Sequence, residues 1–63
     1  MTKQGATNAM LNGAKVTHPY FLDDEYIFME SGIIYFEDGK IATDFWERRS
    51  SYGWARDWTI YRD

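Results

Sequence analysis

The side chains best suited to chemistry crowd toward one end of this chain. The run Arg48-Arg49-Ser50-Ser51-Tyr52-Gly53-Trp54-Ala55-Arg56-Asp57-Trp58 sets arginines and hydroxyls among aromatic rings. A guanidinium is a planar fork of donors that pairs bidentately with phosphate. Serine hydroxyls and the free N–H groups at a helix start offer further donors to the same anion. Tyr52, Trp54 and Trp46 supply flat faces on which a base stacks, worth about 1–3 kcal/mol per base. Arg48, Arg49 and Arg56 are therefore candidates for phosphate contact, Ser50 and Ser51 for hydrogen bonding, and Tyr52 or Trp54 for stacking. Tyr20 and Phe21 would complete such a pocket from another strand or subunit. The plainer reading leaves the arginines solvated and puts the tryptophans in core and interface.

Catalysis finds little support. Covalent or acid–base chemistry needs a nucleophile with a positioned base, or a matched acid and base. The hydroxyls are ordinary, and the one imidazole, His18, stands beside Pro19 in a predicted loop, where a surface or hydrogen-bond-satisfied histidine is the ordinary case. Asp23-Asp24-Glu25 lacks the alternating ligands and central glycine of a calcium loop and reads as a solvated turn. No phosphate-cradling glycine loop or Ser-x-x-Lys signature is present. The sequence predicts a protein that is not an enzyme and carries no cofactor or metal.

The elements that must position these groups are few, because 63 residues allow one domain. Such a chain buries only about 60 % of the surface exposed when unfolded, so a solitary core is marginal and a staple is expected. There is no cysteine, which removes disulfides and thiolate zinc sites and leaves association between copies as the remaining staple. Nothing resembles a signal peptide and no apolar run reaches membrane-spanning length, so a soluble, intracellular protein is expected. Aromatic residues make up 19 % of the chain, a density suited to a binding surface or subunit interface as well as a core. The net charge of −3 argues against general nucleic-acid binding. That charge is segregated. Residues 1–20 carry Lys3 and Lys15 and no acid; residues 21–47 carry eight acids against Lys40; residues 48–63 carry four arginines against Asp57 and Asp63.

The first dozen residues predict a short helix, with Thr2 as N-cap, Ala6, Ala9 and Met10 on one face, and Gly13 in the left-handed position that ends it. Lys15-Val16-Thr17 predicts a brief strand ending before Pro19. Tyr26–Met29 and Ile33–Phe36 predict strands joined by a Ser31-Gly32 turn, and Asp38-Gly39 predicts a second hairpin leading to a strand over Ile41–Trp46. A short helical or irregular turn at 51–55 precedes a last strand at Trp58–Tyr61. The expected fold is α+β, a short N-terminal helix on an antiparallel meander of four or five strands.

Period-two alternation gives this sheet an unusual property. Tyr26 and Phe28 fall on one side of their strand and Ile27 and Met29 on the other; Ile33 and Tyr35 oppose Ile34 and Phe36. An antiparallel sheet with one wet face should alternate apolar and polar. Both faces here are apolar and one short helix covers only one, so a homo-oligomer is predicted, a two-fold contact being the commonest solution.

The order of landmarks resembles the second Thoeris anti-defence family of phages. The matching residues are Ala9-Met10-Leu11-Asn12-Gly13-Ala14-Lys15-Val16 near the start and Trp54-Ala55-Arg56-Asp57-Trp58-Thr59-Ile60 at the end. The chain departs from the family at His18-Pro19-Tyr20-Phe21, where an arginine and a tryptophan are usual. The resemblance implies a viral protein of the host cytoplasm that forms homodimers or homotetramers and sequesters a cyclic-nucleotide immune signal without cleaving it. The alternative is a phage-encoded protein–protein inhibitor that docks an aromatic face on a host or defence enzyme, since Trp, Tyr and Arg also dominate interface hot spots.

Overall fold

A computed structural model describes residues 1–62. Helix α1 spans Lys3–Leu11, and the Thr2 hydroxyl oxygen accepts from the Gly5 N–H at 3.1 Å, as an N-cap should. It ends in a pair of reversed hydrogen bonds, Ala14 N–H to Ala9 O and Gly13 N–H to Met10 O. Gly13 has φ +92°, a conformation that glycine adopts without strain. Ala6 and Met10 are buried on the face predicted for them.

Strands β1 (Val16–Thr17), β2 (Ile27–Glu30), β3 (Ile33–Phe36) and β4 (Thr59–Ile60) form one antiparallel sheet in the order β3-β2-β1-β4. The chain makes three consecutive strands and then returns to lay β4 beside β1. This is the strand order of a four-stranded Greek key rather than a simple meander. The β2–β3 loop is Ser31-Gly32, both at positive φ, the two-residue turn whose twist suits a hairpin. After β3, Gly39 N–H bonds Phe36 O and Phe36 N–H bonds Lys40 O, both at 2.9 Å, so Asp38-Gly39 closes a three-residue loop.

The strand expected over Ile41–Trp46 is not formed. Ile41 bridges Tyr35 and Ala42 N–H reaches Ile34 O at 2.8 Å; thereafter the chain coils, with Phe45 N–H on Ala42 O and Arg48 N–H on Asp44 O. Coiling turns Ala42 and Phe45 inward with Trp46 and Arg49 partly buried, whereas Ile41 is left 59 % exposed. A fifth strand would have turned Ala42 and Phe45 to opposite faces.

The core lies between the sheet and α1: Ala6, Met10, Val16, Ile27, Ile34, Ala42, Phe45 and Trp58, with Ala9, Phe21, Met29, Phe36, Trp46 and Trp54 packed around it. On the opposite face Tyr26, Phe28, Tyr35 and Tyr61 form a row. Phe28 and Tyr35 stack at 5.5 Å, and Tyr26 lies 4.5 Å from Tyr61 and 6.2 Å from Phe28. Among the described residues no element covers that row.

Candidate functional site

The segment after β3 is pinned to the rest of the fold by His18. Its ring is 4 % exposed, and Nε2 lies 2.8 Å from both Gly53 O and Arg56 O, while Nδ1 faces the Tyr20 N–H at 3.1 Å. Two carbonyls at one nitrogen and a donor at the other place the hydrogen on Nε2 and the lone pair on Nδ1. The imidazole ties the end of β1 to the 3₁₀ turn Tyr52–Ala55. All its hydrogen bonds go to backbone, and its ring packs against Trp54 at 4.6 Å, Tyr20 at 4.7 Å and Trp58 at 4.9 Å. Asp57, at φ +72°, then reverses the chain into β4, and the buried Trp58 donates Nε1–H to Trp54 O at 2.8 Å.

The residues singled out in the sequence divide around this knot. Tyr20, Phe21, Arg49 and Trp54 come together. Tyr20 meets Trp54 edge-on at 5.0 Å, Phe21 lies 5.6 Å from Trp54, and the Arg49 guanidinium lies over Phe45 at 4.1 Å and Trp54 at 5.2 Å. Arg49 Nε is buried without a hydrogen-bond partner. Arg48 points outward and donates Nε–H to Asp44, and that hydrogen bond, above all, holds the Asp44 carboxyl below its ordinary value and the guanidinium above its own. Arg56 lies over the Tyr52 ring, donates to its hydroxyl at 3.1 Å and stands 3.7 Å from Asp57. Ser51 caps the 3₁₀ turn through backbone alone and is exposed, as is Tyr52 at 72 %, and Ser50 is exposed before it.

Among the described residues, three hollows stand out on the surface. One of about 390 Å³ opens on the helix side, floored by Met29, Ile34 and Ala42, with Trp46 as a wall and Lys3, Thr7 and Thr43 at the rim. A shallower one of about 590 Å³ follows the outer face past Lys15, Tyr26 and Phe28 to the acids Glu30, Glu37 and Asp38. The third, about 270 Å³, runs beside His18 and Phe21 to Asp57. Of the residues singled out in the sequence for binding, Trp46 lines the first hollow and Phe21 the third; the arginines, the serines, Tyr20, Tyr52 and Trp54 line none of the three. The first hollow, and Lys3 at its rim, escaped the sequence reading. Its signal was a lysine in the first turn of α1, where a carboxylate would suit the helix field better.

Comparison with known proteins gives no match: no family model, no curated protein and no solved structure aligns with the chain. Among the described residues no helix is long and apolar enough to cross a membrane, and no cluster of His, Asp and Glu is arranged to hold a metal ion.

Proposed function

We propose that this chain is a non-enzymatic binding module that associates through the open face of its sheet and sequesters a cyclic nucleotide, as the resemblance to the phage anti-defence family implies. The observation that supports it most is the half-buried row Tyr26, Phe28, Tyr35 and Tyr61, which no element covers among the described residues. A chain this small gains from hiding such a surface against another copy. The imidazole is taken up in backbone hydrogen bonds, which accords with binding rather than turnover. On this reading Arg48 and Arg56 supply guanidinium donors at the surface, Ser50 and Ser51 supply hydroxyls, Tyr52 supplies a face for a base, and Arg49 with Trp54, Tyr20 and Phe21 forms the scaffold behind them. The protein then acts in the host cytoplasm by stoichiometric capture.

Calorimetry against a panel of cyclic di- and oligonucleotides tests this. Saturable binding, with intact nucleotide recovered after denaturing the complex, is the expected result; silence across the panel overturns it. The same open face favours one other reading, a phage-encoded inhibitor whose aromatic row docks on a host or defence enzyme. A stoichiometric protein partner held from host lysate, and lost on Phe28→Ser, would mark that case.

A further inference from the structure

We infer that the hollow between α1 and the coiled segment 42–46 is a seat for a flat anion, with Trp46 as its stacking wall and Lys3 as its anion contact. The inference rests on the reading of the chain as a small-molecule binder and adds a second seat, apart from the arginine segment.

Of the three tryptophans, Trp58 is fully buried and Trp54 is packed against His18, Tyr20 and Phe21. Trp46 alone among them lines one of the hollows described. Phe45, at 5.0 Å and 87°, and Trp58, at 5.4 Å and 71°, meet it edge to face and fix its ring plane. A wall held in this way costs little entropy when a ligand stacks on it.

Lys3 supplies the charge. Its Nζ lies over the Trp46 ring, 4.8 Å from the centre, a cation–π contact that a ring stacking there would displace, carrying the ammonium onto the ligand's anionic group; among the described residues no carboxylate stands within ion-pair distance of it. It also sits in the first turn of α1, where the helix field disfavours a cation and the turn holds no acid to offset it. A bound anion would answer both conditions at once. Thr43 offers a hydroxyl at the rim, while the Thr7 hydroxyl already donates to Lys3 O at 3.0 Å and is left as an acceptor. The floor of Met29, Ile34 and Ala42 is apolar, and about 390 Å³ falls within the roughly 300–1,000 Å³ of small-ligand pockets. Rings and a single anionic group therefore suit the seat better than a polyanion or an apolar chain.

The test titrates the full chain with 5′-AMP, adenosine, inorganic phosphate and cyclic di-AMP, following the indole N–H signals by NMR and the affinity by calorimetry. Saturable 5′-AMP binding that moves the Trp46 signal most is expected, with adenosine and phosphate each much weaker. Lys3→Ala should weaken 5′-AMP about tenfold, the scale of one charge-assisted hydrogen bond, while the exposed Lys40→Ala, which does not line this hollow, leaves it unchanged. Trp46→Leu should abolish binding; because that ring also packs on Phe45, the exposed Lys3→Ala carries the decision. If a nucleotide binds but ignores Lys3→Ala, or moves Trp54 rather than Trp46, the seat is wrong while the binding function stands. If none of the four probes binds at millimolar concentration, the seat falls, and the cyclic-nucleotide panel decides the function separately.

Discussion

On the helix side of the sheet, Phe45, Trp54 and Trp58 pack on one another, the two tryptophans also against the His18 ring, with donors and carbonyls paired between them. On the other side, Tyr26, Phe28, Tyr35 and Tyr61 stand in a row with Lys15 over Tyr26 and no covering element among the described residues. The first set is held by backbone partners that no outside molecule can supply; in the second, Phe28 stacks on Tyr35 across the hairpin and Tyr26 meets Phe28, Tyr61 and Lys15. Aromatic richness in one small chain thus serves two ends. One face makes the fold, and the other is the one proposed to make an assembly.

Breaking the first face should have the largest effect. Trp58→Ala removes a fully buried ring and the bond to Trp54 O, a loss of about 3–5 kcal/mol, which is comparable with the whole stability of a domain this size. Circular dichroism should find the variant unfolded at 25 °C; a cooperative urea transition near that of the parent would show that the knot does not hold the fold. His18→Ala comes next. It strands Gly53 O, Arg56 O and the Tyr20 N–H, at about 1–3 kcal/mol for buried groups left unpaired.

The contrast between the faces was unevenly legible in the sequence. Strand alternation at 26–29 and 33–36 gave both faces of the sheet correctly, because side-chain period two is fixed once the backbone is extended. The Thr2 cap, Gly13 and the two hairpin turns were legible for the same local reason. The segment after the second hairpin was not. Ile41, Thr43 and Phe45 alternate like a strand, yet Ala42, Phe45, Trp46 and Arg49 recur at helical spacing, and only burial decides between the two periods. The role of His18 was equally hidden, since its partners at Gly53 and Arg56 lie more than thirty positions away. For the candidate site, residue types were readable but their neighbours were not: which cation stands over which ring depends on a fold made by distant contacts.

Gly53→Ala sharpens the comparison on a smaller scale. A Cβ there would meet the Tyr20 hydroxyl at 2.2 Å, so Tyr20 must leave its place beside Trp54, and a loss of about 1–2 kcal/mol is expected. In a Tyr20→Ala background the same change should cost clearly less, a coupling that a double-mutant cycle measures. Equal costs in the two backgrounds would contradict the contact.

The smallest effect lies at the exposed Asp44–Arg48 pair. Its hydrogen bond lowers the Asp44 pKa, so the contribution is present above the ordinary carboxylate value and is lost as pH falls through the lowered one. NMR titration should find the Asp44 midpoint below its ordinary value and returned to it by Arg48→Ala, with almost no change in melting temperature, as expected of a solvent-screened pair. A midpoint that ignores Arg48→Ala would remove the pair from the account.

The outer face is the central claim, and sedimentation velocity of the parent and of Phe28→Ser, over a range of micromolar concentrations, tests it most directly. The parent should sediment as an assembly and the variant as a folded single chain, because the Phe28–Tyr35 stack is worth only about 0.2–1 kcal/mol to one copy. A parent that stays a lone chain at the highest concentration, with its aromatic row open to water, would contradict it.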